Sequence, residues 1–95
     1  MAAYLIAFAK VKDSSRVAEY SSAAGPTVVA AGGSVVTRGR IKNLTGTFTA
    51  DSCLVVKFPD VAALHAWYQS SSYQALIPLR DEVMDPAFLV LEEPS

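Results

Sequence analysis

Apolar residues recur along this chain in two rhythms, and the switch between them marks out the elements. Tyr4 to Val11 (YLIAFAKV) is apolar at nearly every position, the pattern of a strand covered on both faces. Asp13 follows, a side chain suited to capping a helix, although Arg16 stands where a capping box would need Glu or Gln. Val17, Tyr20, Ala24, Val28 and Ala31 then recur at three- and four-residue spacing, which lays one helical face on a sheet. Gly25-Pro26 interrupts that stripe and predicts a kink or two helical pieces, because proline removes a helical donor and crowds the preceding turn. Gly32-Gly33 supplies the left-handed backbone that ends a helix.

The second half repeats the order. Ser34 to Arg40 reads as a strand with β-branched Val35, Val36 and Thr37, and Ile41 to Asp51 as a polar connection, a hairpin loop or bulged extension. Ser52 to Phe58 is a third, almost wholly apolar strand. Pro59 stops it, and Asp60 caps a helix with the inner stripe Val61, Leu64, Trp67 and Tyr68. Ser70-Ser71-Ser72 breaks that helix, and a short helical segment from Tyr73 to Val83 resumes it. A last strand, Ala87 to Leu91, follows Pro86. The order is β-α-β-β-α-β, an α+β chain of ferredoxin-like arrangement in one domain over residues 1–95.

Composition changes this picture in one respect. Hydrophobic residues are 52% of the chain and charged residues 18%, a high apolar share for a domain with so much surface. Strands one and three lack a polar face, and one helix layer covers only one side of a sheet. A second copy of the chain is the simplest cover for the other side, so a homodimer is expected.

Charge and cysteine content mainly exclude. Net charge is −1 with no basic stripe, so no nucleic-acid partner is expected. Cys53 is the only cysteine, which rules out an internal disulfide and reads as a buried thiol. No apolar run is long enough to span a membrane and Met1 to Tyr4 lacks a signal peptide's basic start, so a cytoplasmic protein without a membrane partner is expected.

The matching stretches of a known family are Tyr4-Leu5-Ile6-Ala7, Tyr20, Pro26-Thr27, Gly32-Gly33, Arg38-Gly39, Leu44 with Gly46, Phe58-Pro59, Ala66-Trp67-Tyr68, Ser70, Tyr73-Gln74, Arg80 and the last strand to Glu92. In their order and spacing the chain resembles domain-of-unknown-function family 1330, within the dimeric α/β-barrel superfamily. The resemblance implies a four-stranded antiparallel sheet with helices on one face and a partner's sheet on the other. Arg40, Thr45 and Lys57 stand where relatives often carry glycine, an acid and glutamate.

Few side chains are candidates for chemistry. Arg38 sits in the second strand, in phase with Ser34 and Val36. Turned into a barrel it could hold a carboxylate, phenolate or enolate; structurally, it could pair with Glu92 or Glu19 or sit at a dimer rim. Tyr20, Trp67, Tyr68 and Tyr73 could wall a ligand pocket, with tyrosine hydroxyls as acid, base or hydrogen-bond donor, or simply pack helix on sheet. His65, the only histidine, is either a general base or metal or haem ligand, or an exposed residue beside the helix stripe. Arg80, Asp81 and Glu82 read as surface ion pairing. No metal site and no resident cofactor are expected.

Three functions fit. By superfamily resemblance, one is a cofactor-independent monooxygenase, isomerase or cyclase acting on a small aromatic or hydrophobic acid between helices and sheet, with Arg38, Tyr20, Tyr73 and His65 as its catalytic candidates. The second is a non-catalytic module binding such a compound. The third is haem binding or degradation with His65 as axial ligand.

Overall fold

The structure is a computed structural model and describes residues 1–94. Strand β1 spans Ala3–Val11. A 3-10 turn over Ser14–Arg16 follows, capped by Asp13, whose side chain accepts from the Ser15 amide. Helix α1 spans Val17–Ala30, β2 Ser34–Arg40 and β3 Ser52–Phe58. Three helices come next, α2 (Val61–Gln69), α3 (Ser71–Gln74) and α4 (Ile77–Val83), and β4 (Met84–Glu92) closes the order. The strands form one antiparallel sheet in the order β2-β3-β1-β4. This is the ferredoxin-like arrangement that the alternating rhythms predict.

Register assigns the faces. Leu5 opposes Val56 and Val90, and Ala7 opposes Leu54 and Phe88; this side meets the helices. Ala3, Leu5, Val56 and Phe58 are buried there against Tyr20, Ala24 and Val28 of α1 and Leu64 and Trp67 of α2. Tyr4, Ile6 and Phe8 alternate to the other side, beside Val55, Leu89 and Leu91, and no helix covers them. Cys53 opposes Phe8 and shares this uncovered side, so it is half-buried rather than the buried thiol expected.

Helix α1 runs unbroken through Pro26 instead of splitting into two pieces. Its stripe of Tyr20, Ala24 and Val28 stays buried on both sides of the proline, and that packing offsets one lost backbone bond. The helix ends as predicted: Gly32 has φ +84°, and the Gly33 amide donates to the Val28 carbonyl at 2.9 Å. A Cβ at Gly33 would lie 2.7 Å from Val28 and 2.9 Å from Phe58, so only glycine fits between helix and sheet.

Two further boundaries differ from expectation. The segment Tyr73 to Val83 is not one helix, because α3 ends at Gln74 and α4 begins at Ile77, with Pro78 in its first turn. The last strand begins at Met84 and passes through Pro86, which opposes Ala9. Strand β4 is an edge strand, where a missing amide donor is tolerated.

Candidate functional site

The site begins with an irregularity. Strand β2 pairs with β3 through Val35–Val56 and then Thr37–Val55, a register shift that leaves Val36 as the extra residue. Strict alternation would put Arg38 in phase with Ser34 and Val36. The bulge instead brings Arg38 opposite Leu54 and Arg40 opposite Ser52, in phase with Val35 on the helix side. Arg38 pairs with neither Glu92 nor Glu19: Glu92 belongs to the opposite edge strand, and Glu19 bonds Arg16 at 3.1 Å. Strand β2 is exposed along its whole length, and the space between it and α1 is a cleft of about 530 Å³.

Leu5, Ala7, Ala24, Val28, Leu54 and Phe88 are among the apolar residues lining this first cleft. Its charged lining residues are Arg38 and Arg40, with no carboxylate among them. Tyr20 and Trp67 line it too. Tyr68, Tyr73 and His65 do not.

Behind the cleft wall lies a buried polar chain. The Tyr20 and Tyr73 hydroxyls are 2.7 Å apart. Arg80 Nη1 donates to Tyr73 at 3.2 Å and to Tyr68 at 3.3 Å, while Nε donates to Asp81 at 3.0 Å. Arg80 can only donate, so the Tyr68 and Tyr73 oxygens accept from it. The hydroxyl bond between Tyr20 and Tyr73 can run in either direction.

Burial pushes the Tyr20 phenol far above its ordinary range. Burial likewise raises Tyr73, although its hydrogen bonds with Tyr20 and then Arg80 pull it partly back. Burial works against the charge on Arg80, but its bonds to Tyr68 and Tyr73 outweigh that, so the guanidinium holds its proton more tightly than usual. At neutral pH this is a neutral phenol chain anchored on a fixed cation. With its proton held so tightly by burial, Tyr20 is a poor phenolate base.

Arg80 is therefore not the surface residue its Arg-Asp-Glu setting suggests. It is 8% exposed, and Glu82 turns away to pair with Arg16 at 3.2 Å. The missed signal is periodic: Arg80 lies seven residues after buried Tyr73 and three before buried Val83, on the inward side of α4.

Trp67 is 2% exposed, and its Nε1 donates to Thr27 Oγ1 at 3.0 Å, tying α2 to α1 just past Pro26. Ser70 caps α3, accepting from the Tyr73 amide and donating to the Trp67 carbonyl at 2.6 Å, and so sets Tyr73 relative to Trp67. Trp67, Tyr73, Tyr68 and Phe88 form one aromatic cluster, with the Trp67 and Tyr73 ring centres 4.4 Å apart. His65 is exposed, and its imidazole makes no hydrogen bond among the described residues. It lines a second cleft of about 310 Å³, together with Tyr68 and Arg80. Among the described residues no three His, Cys, Asp or Glu side chains are grouped to hold a metal, and no helix is long and apolar enough to cross a membrane.

The model of the domain of unknown function DUF1330 matches residues 2–94. The chain belongs to this family. No curated protein matches it. Among solved structures, a protein of unknown function from Rhodopseudomonas palustris is similar at TM-score 0.82 and 18% identity, over 99% of this chain and 83% of that one. A dimeric ferredoxin-like protein of unknown function from Thermobifida fusca is similar at TM-score 0.68 and 14% identity, over 98% and 92%. A proposed antibiotic biosynthesis monooxygenase from Caulobacter crescentus is similar at TM-score 0.65 and 14% identity, over 99% and 91%. At these identities the likeness is one of fold.

Proposed function

We propose that this DUF1330 protein binds a small aromatic or hydrophobic acid in the cleft between α1 and the sheet and transforms it without a resident cofactor, as an oxygenase, isomerase or cyclase. One observation carries the reading: an apolar cleft of about 530 Å³ whose charged lining consists of Arg38 and Arg40. Such a cavity is in the size range of small-molecule sites. Its walls take an apolar body, and its two guanidinium groups take a carboxylate or enolate. Tyr20, a neutral phenol among the lining residues, would supply a hydrogen bond to an oxygen on which negative charge develops. The fold likeness to the Caulobacter protein is compatible with oxygenation but does not select it.

A second reading is a binding module using the same cleft. It draws on the absence of histidine and carboxylate among the cleft's lining residues, which leaves Tyr20 to handle any proton. The haem alternative gains nothing from His65, which is exposed and lies outside this cleft. The open side of the sheet would be covered by a second copy, a reading supported by the dimeric Thermobifida relative of the same fold.

The test is a thermal-shift panel of aromatic and polyketide-like acids against their neutral amides, followed by product analysis of each hit in air and under argon. Stabilisation by acids and not by amides, lost in Arg38→Ala, supports the site. A new product separates enzyme from binding module, and stabilisation independent of the acid group overturns both.

A further inference from the structure

We propose that the second cleft, between α2 and β4, is a separate binding site for a small carboxylate, anchored by the free edge of the Arg80 guanidinium. The argument starts from how Arg80 spends its donors. Nε faces Asp81, and Nη1 faces Tyr68 and Tyr73. Nη2 has no partner among the described residues. Because no buried side-chain nitrogen there lacks a partner, Nη2 retains an opening, and the cleft that Arg80 lines provides it.

The charge is also incompletely balanced. Tyr68 and Tyr73 are neutral, and the one carboxylate on Arg80, that of Asp81, is 55% exposed, so its attraction is screened by water. No acidic side chain lines the cleft, and the imidazole of His65 stands at it. A buried guanidinium with an unused edge in an acid-free cleft is a receptor for an anion.

The walls choose the kind of anion. Phe88 lies under the guanidinium, with the Arg80 carbon 5.2 Å from the ring centre, and Leu64 and Val90 are apolar. At about 310 Å³ the cleft is at the lower end of ligand-site volumes. A carboxylate on a compact flat or branched apolar body fits both chemistry and size. The two clefts share Leu5, Trp67 and Phe88 as a common wall, so they are neighbours with separate mouths.

The experiment is a titration of ¹⁵N-labelled full-length protein with benzoate, and separately with benzamide, at constant ionic strength. Benzoate should shift the amides of Leu64, His65 and Val90 saturably, at least tenfold more tightly than benzamide, while Ser21, Gly25 and Gly39 of the first cleft move little. Arg80→Lys keeps the charge but loses the planar fork, and should weaken benzoate about tenfold. Should that variant not fold, Val90→Trp fills the cleft from an exposed edge-strand position and leaves Arg80 in place; it should abolish the shifts at Leu64 and His65. Shifts confined to the first cleft, equal response to benzamide, undiminished binding by Val90→Trp, or no saturable shift with benzoate would each overturn the proposal. Because each cleft has its own reporter amides, failure here is distinguishable from failure of the Arg38 site.

Discussion

The hydroxyl oxygens of Tyr20 and Tyr73 stand 2.7 Å apart across the junction of α1 and α3. Tyr73 is wholly buried, and its oxygen also receives Arg80 Nη1. Tyr73→Phe therefore removes the middle of the chain and leaves Arg80 Nη1 and the buried Tyr20 hydroxyl without the oxygen they share. It should destabilise the fold by about 1–3 kcal/mol in urea unfolding. Tyr68→Phe should cost clearly less, because Tyr68 is only half-buried and water can replace its hydroxyl. Equal costs would mean that the chain is not the organising feature of the helix layer.

The same chain makes stability sensitive to alkali. Tyr20 in the folded state holds its proton well above the ordinary phenol range, chiefly through burial. Unfolded, it titrates near the usual value of about 10. Above that pH the unfolded chain binds fewer protons than the folded one, so stability falls as pH rises. The contribution is complete below about pH 10 and is lost as pH climbs towards the folded value. The urea midpoint should stay level from about pH 7 to 9 and then decline. Tyr20→Phe should decline less steeply; an unchanged slope would assign the alkaline loss to other groups.

Trp67 links the sheet to two of the helices packed on it. It touches Phe58 of the sheet, Tyr73 of α3 and, through Thr27, the helix α1. Trp67→Ala should cost about 3–5 kcal/mol, enough to unfold much of so small a domain at room temperature. Circular dichroism melting reads this directly, and wild-type melting would place the indole outside the core.

How much of this the sequence discloses depends on the range of the cause. Local causes are legible: Asp60 caps α2, Gly32 and Gly33 end α1, and the stripe Tyr20, Ala24, Val28 is buried as its spacing predicts. The phase of Arg38 is not legible, because the bulge at Val36 arises from pairing with β3, and one extra residue reverses every side chain beyond it. Arg80 fails for a related reason. Its neighbours Asp81 and Glu82 signal a wet surface, whereas its burial is decided by Tyr68, Tyr73 and Phe88 folding over it. Pro26 within α1 and Pro86 within β4 show tertiary packing and edge position overriding a local breaker.

The uncovered face of the sheet carries Ile6, Phe8, Val55, Leu89 and Leu91, and the last two are more than half exposed in the single chain. If a second copy covers it, sedimentation or light scattering at micromolar protein should give a dimer burying roughly 1,500 Å² or more. Leu89→Asp puts a charge on that face without touching the helix-side core, and should yield a folded monomer or a much weaker dimer. A wild-type monomer at all concentrations would refute the pairing.

Arg38 and His65 divide the two clefts between them, which allows a clean comparison. Arg38 reaches the first cleft through the bulge of β2, and His65 reaches only the second. A bicyclic aromatic acid such as naphthoate suits the larger cavity. Arg38→Ala should weaken its binding by about 1.5 kcal/mol, the low end for a charge-assisted hydrogen bond because Arg38 is exposed. His65→Ala should leave naphthoate binding and stability nearly unchanged, since the imidazole has no hydrogen-bond partner among the described residues. Calorimetry on the two variants decides the matter. Loss of binding in His65→Ala with none in Arg38→Ala would move the site to the smaller cleft and return the histidine to the centre of the chemistry.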